Sequence, residues 1–228
     1  SLDRFAAEPE LQGEAFYHEL AVEILASAGT AKVHFVGFSI GAFIALQTVR
    51  HMQGRVASLD LISAAAPLEG GDFLPDMAGQ LVFRLARKWP LLFRLVSSWQ
   101  GLLARYVPGL LFKMLFASAQ AADQDLRGDE QFRRRTLEQL YHCFAHAGGY
   151  VRDVQAYVRP WAARLAVITA KTRIWHGAED NWSPGAMAEY LGSALSGCEQ
   201  VAFLPGLSHY SCLQQVVPEV CAAIRADR

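Results

Sequence analysis

The chain has 228 residues, of which 52% are hydrophobic and 19% are charged, and its formal net charge is −1. Such a chain is globular and long enough for one large core, or for one core with an inserted subdomain. A charge this close to zero gives no long-range attraction to nucleic acid. The uncharged stretches fall far short of the roughly 20 apolar residues that span a bilayer.

The four cysteines form no pattern that would bind a metal. Cys143, Cys198, Cys212 and Cys221 have neither metal-ligand spacing nor a C-x-x-C motif. We therefore expect free thiols in a reducing, cytoplasmic compartment. No signal peptide is visible in the sequence given.

The first predicted elements are a helix, a buried strand and a second helix. Apolar residues at helical spacing predict a helix over residues 14–28, with Gly29 as its C-cap. Residues 33–38 are apolar and rich in β-branched and aromatic side chains, which is typical of a strand buried in a parallel sheet. Residues 42–50 lack Gly and Pro and predict a helix that continues to about Met52.

The turn between that strand and the second helix carries the motif Gly37-Phe38-Ser39-Ile40-Gly41. A strand that turns into a helix through one residue strains that residue and exposes its side chain at the C-terminal edge of the sheet. We expect Gly37 and Gly41 to be glycine because a Cβ at either position would clash in so tight a turn. Ser39 is therefore the predicted nucleophile, and the N–H of Ile40 is a predicted oxyanion donor.

The alternation of helix and strand continues briefly and then stops. Residues 56–65 predict the next strand, and the short connections indicate a parallel sheet with right-handed crossovers. From residue 73 to residue 163 the sequence is helical in character and predicts no strand. We refer to residues 69–163 as the helical insertion.

The helical insertion contains a long basic and apolar stretch. No acidic residue occurs between Asp76 and Asp123, so this stretch would suit either a membrane surface or the cover of a lipophilic pocket. We expect its apolar stripe to pack on the rest of the protein, since most such stripes are core faces. Its six basic residues are Arg84, Arg87, Lys88, Arg94, Arg105 and Lys113.

A pair of histidines in the helical insertion has the spacing of two metal ligands. His142 and His146 lie one helical turn apart, with Cys143 between them. The sequence places no third ligand, and we expect an ordinary surface or core helix there.

The alternation resumes near the C-terminus. Residues 172–177 predict a strand, and Ser183-Pro184 predicts the N-cap and first turn of a helix to about Leu195. Residues 200–204 predict the last strand, and a turn then leads to His209 and a final helix.

Three residues at the ends of predicted strands have the chemistry of a catalytic triad. A serine hydroxyl needs a base to take its proton, and an imidazole does so best when a carboxylate fixes its tautomer. Ser39, Asp180 and His209 each follow a strand. Because parallel strands end on the same side of a sheet, the three side chains can converge there. This chemistry needs no metal or organic cofactor.

Three motifs make the chain resemble the α/β-hydrolase family. Residues 36–42 resemble the nucleophile elbow of that family, residues 174–180 its H-G-x-x-D acid loop, and residues 204–209 its G-x-x-H histidine loop. The resemblance implies that Ser39 is the nucleophile, His209 the general base and acid, and Asp180 the residue that orients His209. Glu179 is the rival acid, but its neighbour fits the family spacing better.

The start of the chain departs from the family pattern. Members of the family begin with three further strands and a helix, which include a loop that supplies the second oxyanion N–H. If Ser1 matches the serine of the turn after the third strand, roughly 50–80 residues are missing in front of it. We expect the chain to be a C-terminal piece of a longer protein or a truncated gene product, with an N-terminally truncated sheet whose missing strands another segment or another chain could supply.

The sequence therefore predicts an α/β-hydrolase-like, mostly parallel sheet flanked by helices, with an all-helical cap. Residues 1–68 and 164–228 are the predicted core, and residues 69–163 the cap. The expected activity is hydrolysis of a carboxylic ester by a serine hydrolase. Aromatic residues in the cap suggest a lipophilic ester or acyl substrate: Phe83, Trp89, Phe93, Trp99, Phe112 and Phe116. The alternatives are a non-catalytic binding module, or thioester, acyl-transfer, C–C hydrolysis or haloperoxidase-like chemistry with the same triad.

Overall fold

The computed structural model describes residues 11–145 and 147–226. The main part of the protein alternates helices and strands on both sides of the helical insertion. Its elements are α1 (Gly13–Ala28), β1 (Val33–Phe38), α2 (Ile40–Val49), β2 (Val56–Ile62), β3 (Thr172–Gly177), α9 (Gly185–Ala194), β4 (Cys198–Leu204) and α10 (His209–Ala226).

The four strands form one parallel sheet in the order β1-β2-β3-β4, as the short alternating elements predict. Alternate side chains of the central strands enter separate apolar clusters. Leu59, Leu61 and Ile174 pack with α2 and α9, whereas Ile62 packs with α10. Helices therefore cover both faces, and all four strands end at the same edge.

The ends of several elements differ from the prediction. Strand β2 ends at Ile62 rather than near residue 65, because Ser63 adopts φ 45°, which no extended strand contains. Helix α2 ends at Val49 rather than near Met52, because the N–H of Met52 bonds back only three residues, to Val49. Helix α9 begins at Gly185, so Ser183 is not its N-cap.

The helical insertion contains no strand among its described residues. Its α-helices are α3 (Gln80–Lys88), α4 (Pro90–Tyr106), α5 (Pro108–Leu115), α6 (Ala122–Leu126), α7 (Glu130–Ala145) and α8 (Ala147–Tyr157). Helix α8 attaches to the main part, where the Tyr157 ring lies 5.7 Å from Phe43 and its hydroxyl donates to the carbonyl of Ala66 at 2.9 Å.

The apolar stripe of the helical insertion packs only in part. Phe83, Phe93, Phe112 and Phe116 are buried, as expected. Trp89 and Trp99 are exposed together with several leucines, so the expectation that the stripe packs inward is wrong for them. For Trp99 the physical reason is that α4 is apolar on two opposite faces, of which the face with Phe93 is buried and the face with Trp99 is exposed.

Three other features bear on the expectations for the chain. Strand β1, which leads to Ser39, lies at an edge of the sheet, and Val36 on it is exposed. In the described ranges no helix is long and apolar enough to cross a bilayer. His146 lies outside the described residues, and the remainder contains no cluster of three metal-ligating side chains.

Candidate active site

The turn from β1 to α2 holds Ser39 in a strained conformation. Its φ is 54° and its ψ is −127°, a region that costs a non-glycine residue on the order of 1–3 kcal/mol. Hydrogen bonds fix the residue there: its N–H donates to Ile62 at 3.1 Å, and its carbonyl accepts from Ala42 at 3.0 Å and from Ala65 at 3.2 Å. The end of β2 thus holds the serine in place.

The two glycines of this turn have different environments. A Cβ on Gly37 would lie 2.7 Å from the Cα of Ala42, so the backbones of β1 and α2 approach too closely for any side chain. A Cβ on Gly41 would meet nothing within 4 Å. The predicted clash at Gly41 is therefore wrong, because that residue faces open space on the first turn of α2.

The start of α2 places a backbone N–H beside Ser39. Ile40 is the first residue of the helix, and the N–H of such a residue has no acceptor within its own helix. This N–H lies at the positive end of the helix dipole, where developing negative charge is stabilised.

His209 and Asp180 form a buried hydrogen-bonded pair at the same sheet edge. Nδ1 of His209 lies 2.8 Å from Oδ2 of Asp180, and both residues are less than a tenth exposed. The exposed neighbour Glu179 uses its N–H to bond the carbonyl of Leu207. The structure therefore pairs His209 with Asp180 rather than with Glu179.

The acid loop, which in the structure extends from residue 174 to residue 184, holds Asp180 in one orientation. Oδ1 accepts from the N–H of Trp182 at 2.8 Å and of Ser183 at 3.0 Å, which leaves Oδ2 for His209. Burial alone would raise the pKa of Asp180, but the charge and hydrogen bond of His209 hold that pKa below its ordinary value. The side chain is thus a carboxylate at neutral pH. It can fix the tautomer of the imidazole and stabilise the imidazolium.

The acid loop is in direct backbone contact with the histidine loop (residues 204–209). The N–H of Ala178 donates to Leu204 at 3.0 Å. A Cβ on Gly177 would lie 2.5 Å from the carbonyl oxygen of Ser208, so only glycine fits where the loops meet. The glycine of the H-G pair therefore sets the approach of Asp180 to His209.

His176 is a buried structural residue. It is fully buried in β3, and its Nε2 lies 2.8 Å from the carbonyl oxygen of Ser183. Burial lowers its pKa despite the nearby Asp180. The neutral imidazole then donates from Nε2 to the carbonyl oxygen of Ser183. This hydrogen bond ties the end of the acid loop to β3.

The nucleophile turn and the histidine are in contact through Phe38. The rings of Phe38 and His209 lie 4.6 Å apart, and Trp182 and Tyr210 lie within 6.1 Å of the same imidazole. The structure thus brings together the turn that carries Ser39, the imidazole of His209 and the carboxylate of Asp180. The surroundings of the imidazole are aromatic.

Sequence reasoning missed the contribution of the helical insertion. Asp123 on α6 is 1% exposed, and its carboxylate accepts from the N–H of Tyr210 at 3.0 Å and of Ser211 at 2.7 Å. These N–H groups begin α10, immediately after His209, where a carboxylate acts as a helix cap. The only signal was that Asp123 is the first acidic residue after the basic stretch.

The strained Ser63 was missed as well. Its N–H donates to Trp175 at 2.8 Å, and its Oγ lies 3.5 Å from the carbonyl oxygen of His209. Ser63 therefore links the ends of β2 and β3 to the start of α10. No pattern in the sequence distinguishes it from its neighbours.

Taken together, these groups have the parts needed for acyl transfer. They comprise a strained serine at a helix start, an N–H beside it, and an imidazole oriented by a buried carboxylate.

Solved structures share this fold. An alpha/beta hydrolase enzyme from a Medee basin deep-sea metagenome library superposes with a TM-score of 0.62 at 20% identity, over 94% of this chain and 71% of that one. An esterase from Exiguobacterium antarcticum gives 0.62 at 20% identity, over 96% and 75%. A meta-cleavage product hydrolase from Pseudomonas fluorescens gives 0.64 at 15% identity, over 96% and 73%.

Sequence comparison gives the family itself. No curated protein matches the chain significantly. The family model described as "Alpha/beta hydrolase family" matches residues 3–224, which is nearly the whole sequence. The chain belongs to the alpha/beta hydrolase family.

Proposed function

We propose that the protein is a serine hydrolase that cleaves carboxylic esters of lipophilic alcohols or acids. The observation that carries the proposal is the buried hydrogen bond between His209 and Asp180, beside a serine held at φ 54°. A strained serine and an oriented imidazole at one sheet edge have little structural purpose but suit nucleophilic catalysis. Family membership supports hydrolase chemistry broadly.

In the proposed reaction, Oγ of Ser39 attacks the ester carbonyl while Nε2 of His209 takes its proton. The N–H of Ile40 stabilises the oxyanion of the tetrahedral intermediate. The imidazolium then protonates the departing alcohol, which leaves an acyl-enzyme on Ser39. Water, deprotonated by His209, hydrolyses that acyl-enzyme, and Asp180 holds the imidazole in the required tautomer throughout.

The surroundings of the imidazole support a lipophilic substrate. Phe38, Trp182 and Tyr210 surround His209, and the Phe116 ring of the helical insertion lies 5.0 Å from Tyr210. A polar substrate would lose its hydration against these rings without compensation. An acyl chain or an aromatic ester would instead remove apolar surface from water.

The same residues would serve the alternatives named above. Thioester cleavage, acyl transfer, C–C hydrolysis and haloperoxidase-like chemistry use the same triad, and a non-catalytic binding module would keep it without using it. Among the structural neighbours are a protein described as an N-acyl homoserine lactone degrading enzyme and one described as a bromoperoxidase. Substrate assays therefore have to follow the test of the nucleophile.

Active-site labelling tests the proposal most directly. Intact-mass spectrometry after treatment with a fluorophosphonate should give a single adduct on the wild-type chain. The Ser39→Ala variant, which keeps every other serine, should give none. An adduct that persists in Ser39→Ala, or no adduct on a chain that circular dichroism shows folded, would refute the proposal. p-Nitrophenyl esters of increasing chain length would then measure the preference for lipophilic acyl groups.

A further inference from the structure

One surface of the helical insertion exposes an unusual amount of apolar area. Among the residues that the structure describes, seventeen large apolar side chains are exposed, and eleven of them lie between residues 81 and 114. Monomeric proteins rarely expose contiguous apolar patches of this extent without a binding role. We call this surface, formed by α3, α4 and α5, the outer face. Its exposed apolar residues are Leu81, Trp89, Leu91, Leu92, Leu95, Trp99, Leu102, Tyr106, Val107, Leu110 and Met114.

Helix α4 gives the outer face its shape. Five of its apolar residues, from Leu91 to Tyr106, are between 54% and 75% exposed. At 100° per residue they fall within an arc of about 80°. They are Leu91, Leu95, Trp99, Leu102 and Tyr106. Phe93, Ser97 and Ala104 are buried on the opposite side. Folding therefore buries only one of the two apolar faces of α4, and the other face is exposed to solvent.

The charges on the outer face all have one sign. Six basic residues lie between Asp76 and Asp123, and all six are exposed. No carboxylate forms an ion pair with any of them among the described residues, although the chain as a whole has a net charge of only −1. Arg94 and Arg105 lie beside the apolar arc of α4, so cationic groups border it.

We propose that the outer face docks on the surface of an anionic lipid bilayer. Leucine and tryptophan on one helix face, bordered by arginine and lysine, are the features of helices that lie in the membrane interface. Tryptophan and tyrosine favour this boundary because one end of each ring is apolar and the other is polar. The basic side chains would reach the lipid phosphates while their stems cover apolar surface.

The charge pattern favours a bilayer over a second copy of the chain. A symmetric dimer through the outer face would bring two sets of six cations together with no carboxylate between them. Like charges at an interface are destabilising. An anionic bilayer instead meets the same cations with opposite charge.

Docking would place the active-site surroundings close to the lipid. Helix α5 exposes Leu110 and Met114, while its inward residue Phe112 stacks on Phe116 at 4.7 Å. Phe116 in turn contacts Tyr210, which follows His209. A bilayer would therefore be a source of lipophilic ester for the proposed hydrolase. The docking itself does not depend on hydrolysis, so the Ser39→Ala variant tests it separately.

Vesicle flotation of the Ser39→Ala chain is the first experiment. We expect binding to phosphatidylcholine vesicles that contain phosphatidylglycerol and little binding to pure phosphatidylcholine. Binding should weaken between about 0.1 M and about 1 M salt, as the Debye length falls from about 10 Å to about 3 Å. Leu95→Ser/Trp99→Ser should weaken the binding about tenfold or more, because the variant loses the free energy that the two apolar side chains gain when they move from water into the bilayer.

Matched variants separate the outer face from a general loss of apolar surface or charge. Tyr141→Ser/Val167→Ser removes an aromatic and an aliphatic side chain that are each 51% exposed elsewhere, and should leave vesicle binding unchanged. Arg87→Glu/Lys88→Glu should abolish the preference for the anionic lipid. Arg134→Glu/Arg135→Glu, an exposed pair on α7, should keep most of it.

Two results would overturn the proposal. The first is no binding to anionic vesicles by a folded chain that remains monomeric by light scattering. The second is self-association without lipid that Leu95→Ser/Trp99→Ser abolishes, which would make the outer face an interface between copies. A blue shift of the tryptophan emission on anionic vesicles that Trp99→Phe reduces and Trp175→Phe does not would add support. Fluorophosphonate labelling of the wild type reports the proposed hydrolase chemistry independently of all these outcomes.

Discussion

Asp123→Ala tests whether the helical insertion positions His209, the proposed general base. Asp123 caps the helix that begins with His209, and it is buried with both of its oxygens bonded to backbone N–H groups. Exposed Asp129 is a matched control, because it caps α7 in the same way through one hydrogen bond to the N–H of Phe132 at 2.8 Å. Only Asp123 acts next to His209.

The two substitutions should differ in their effect on stability. Loss of an exposed helix cap costs about 1 kcal/mol, which is the expectation for Asp129→Ala. Asp123→Ala leaves the buried N–H of Ser211 without an acceptor, at a cost of about 1–3 kcal/mol, and removes the hydrogen bond of the half-buried N–H of Tyr210, which contributes about 1 kcal/mol. We therefore expect Asp123→Ala to lower the free energy of unfolding by about 2–4 kcal/mol in urea titrations.

The kinetic effect distinguishes positioning from stability alone. The N–H groups bonded to Asp123 are on the two residues after His209, so their release loosens the imidazole. A displacement of about 1 Å can cost on the order of 100-fold in rate. The rate of fluorophosphonate labelling should fall about 10- to 100-fold in Asp123→Ala and less than about twofold in Asp129→Ala, with partial recovery in Asp123→Asn. Wild-type labelling by a fully folded Asp123→Ala chain would refute this reasoning.

Three further predictions follow from single contacts. Gly37→Ala should destabilise the fold by more than about 3 kcal/mol, because the added Cβ would meet the backbone of α2. Gly41→Ala should instead stabilise the fold by about 0.5–1 kcal/mol. Equal effects of the two substitutions in thermal unfolding would contradict this prediction. Asp60→Ala should cost at least about 1.5–3 kcal/mol, because it removes two charge-assisted hydrogen bonds in which the Arg173 guanidinium donates to the carboxylate oxygens of Asp60 at 2.8 Å; a loss under about 1 kcal/mol in urea would count against it. Asp180→Asn should lower ester turnover by up to about 10⁴-fold through the wrong tautomer. Because the folded-state pKa of Asp180 is depressed, its contribution to stability is complete above about pH 5 and is lost as the pH falls through the folded pKa. The melting temperature of Asp180→Asn should therefore depend less on pH between about pH 2 and about pH 5 than that of the wild type.

The sheet could be predicted because its signals are local. Each strand is a short apolar run that ends at a turn, and the chain order of the elements then gives a parallel sheet. The tight turn that holds Ser39 at a positive φ was predictable for the same reason, since five consecutive residues carry its motif. The choice of Asp180 over Glu179, which follows the same strand, came from the spacing of the α/β-hydrolase acid loop that the sequence resembles. In each case a few neighbouring residues contain the information.

The supporting contacts could not be predicted because they join distant segments. Asp123 and Tyr210 are 87 residues apart in sequence, and nothing local to either position indicates the contact. Ser183 resembles an N-cap, but its N–H is used by Asp180 and its carbonyl by His176. Gly41 looked essential because the motif contains it, although only the path of the surrounding backbone decides whether a Cβ fits there.

Helix α4 has one apolar face that is buried in the fold and a second apolar face that is exposed. Apolar residues at helical spacing predict a core face, and the buried face of α4 fulfils that prediction with Phe93, Ser97 and Ala104. A helix that needs one core face gains no folded-state stability from leucine and tryptophan on the opposite side, where they remain in water. Such residues also favour aggregation. The second apolar face of α4 therefore requires a cause outside the fold, and the uniformly basic charge around it indicates an anionic surface as that cause.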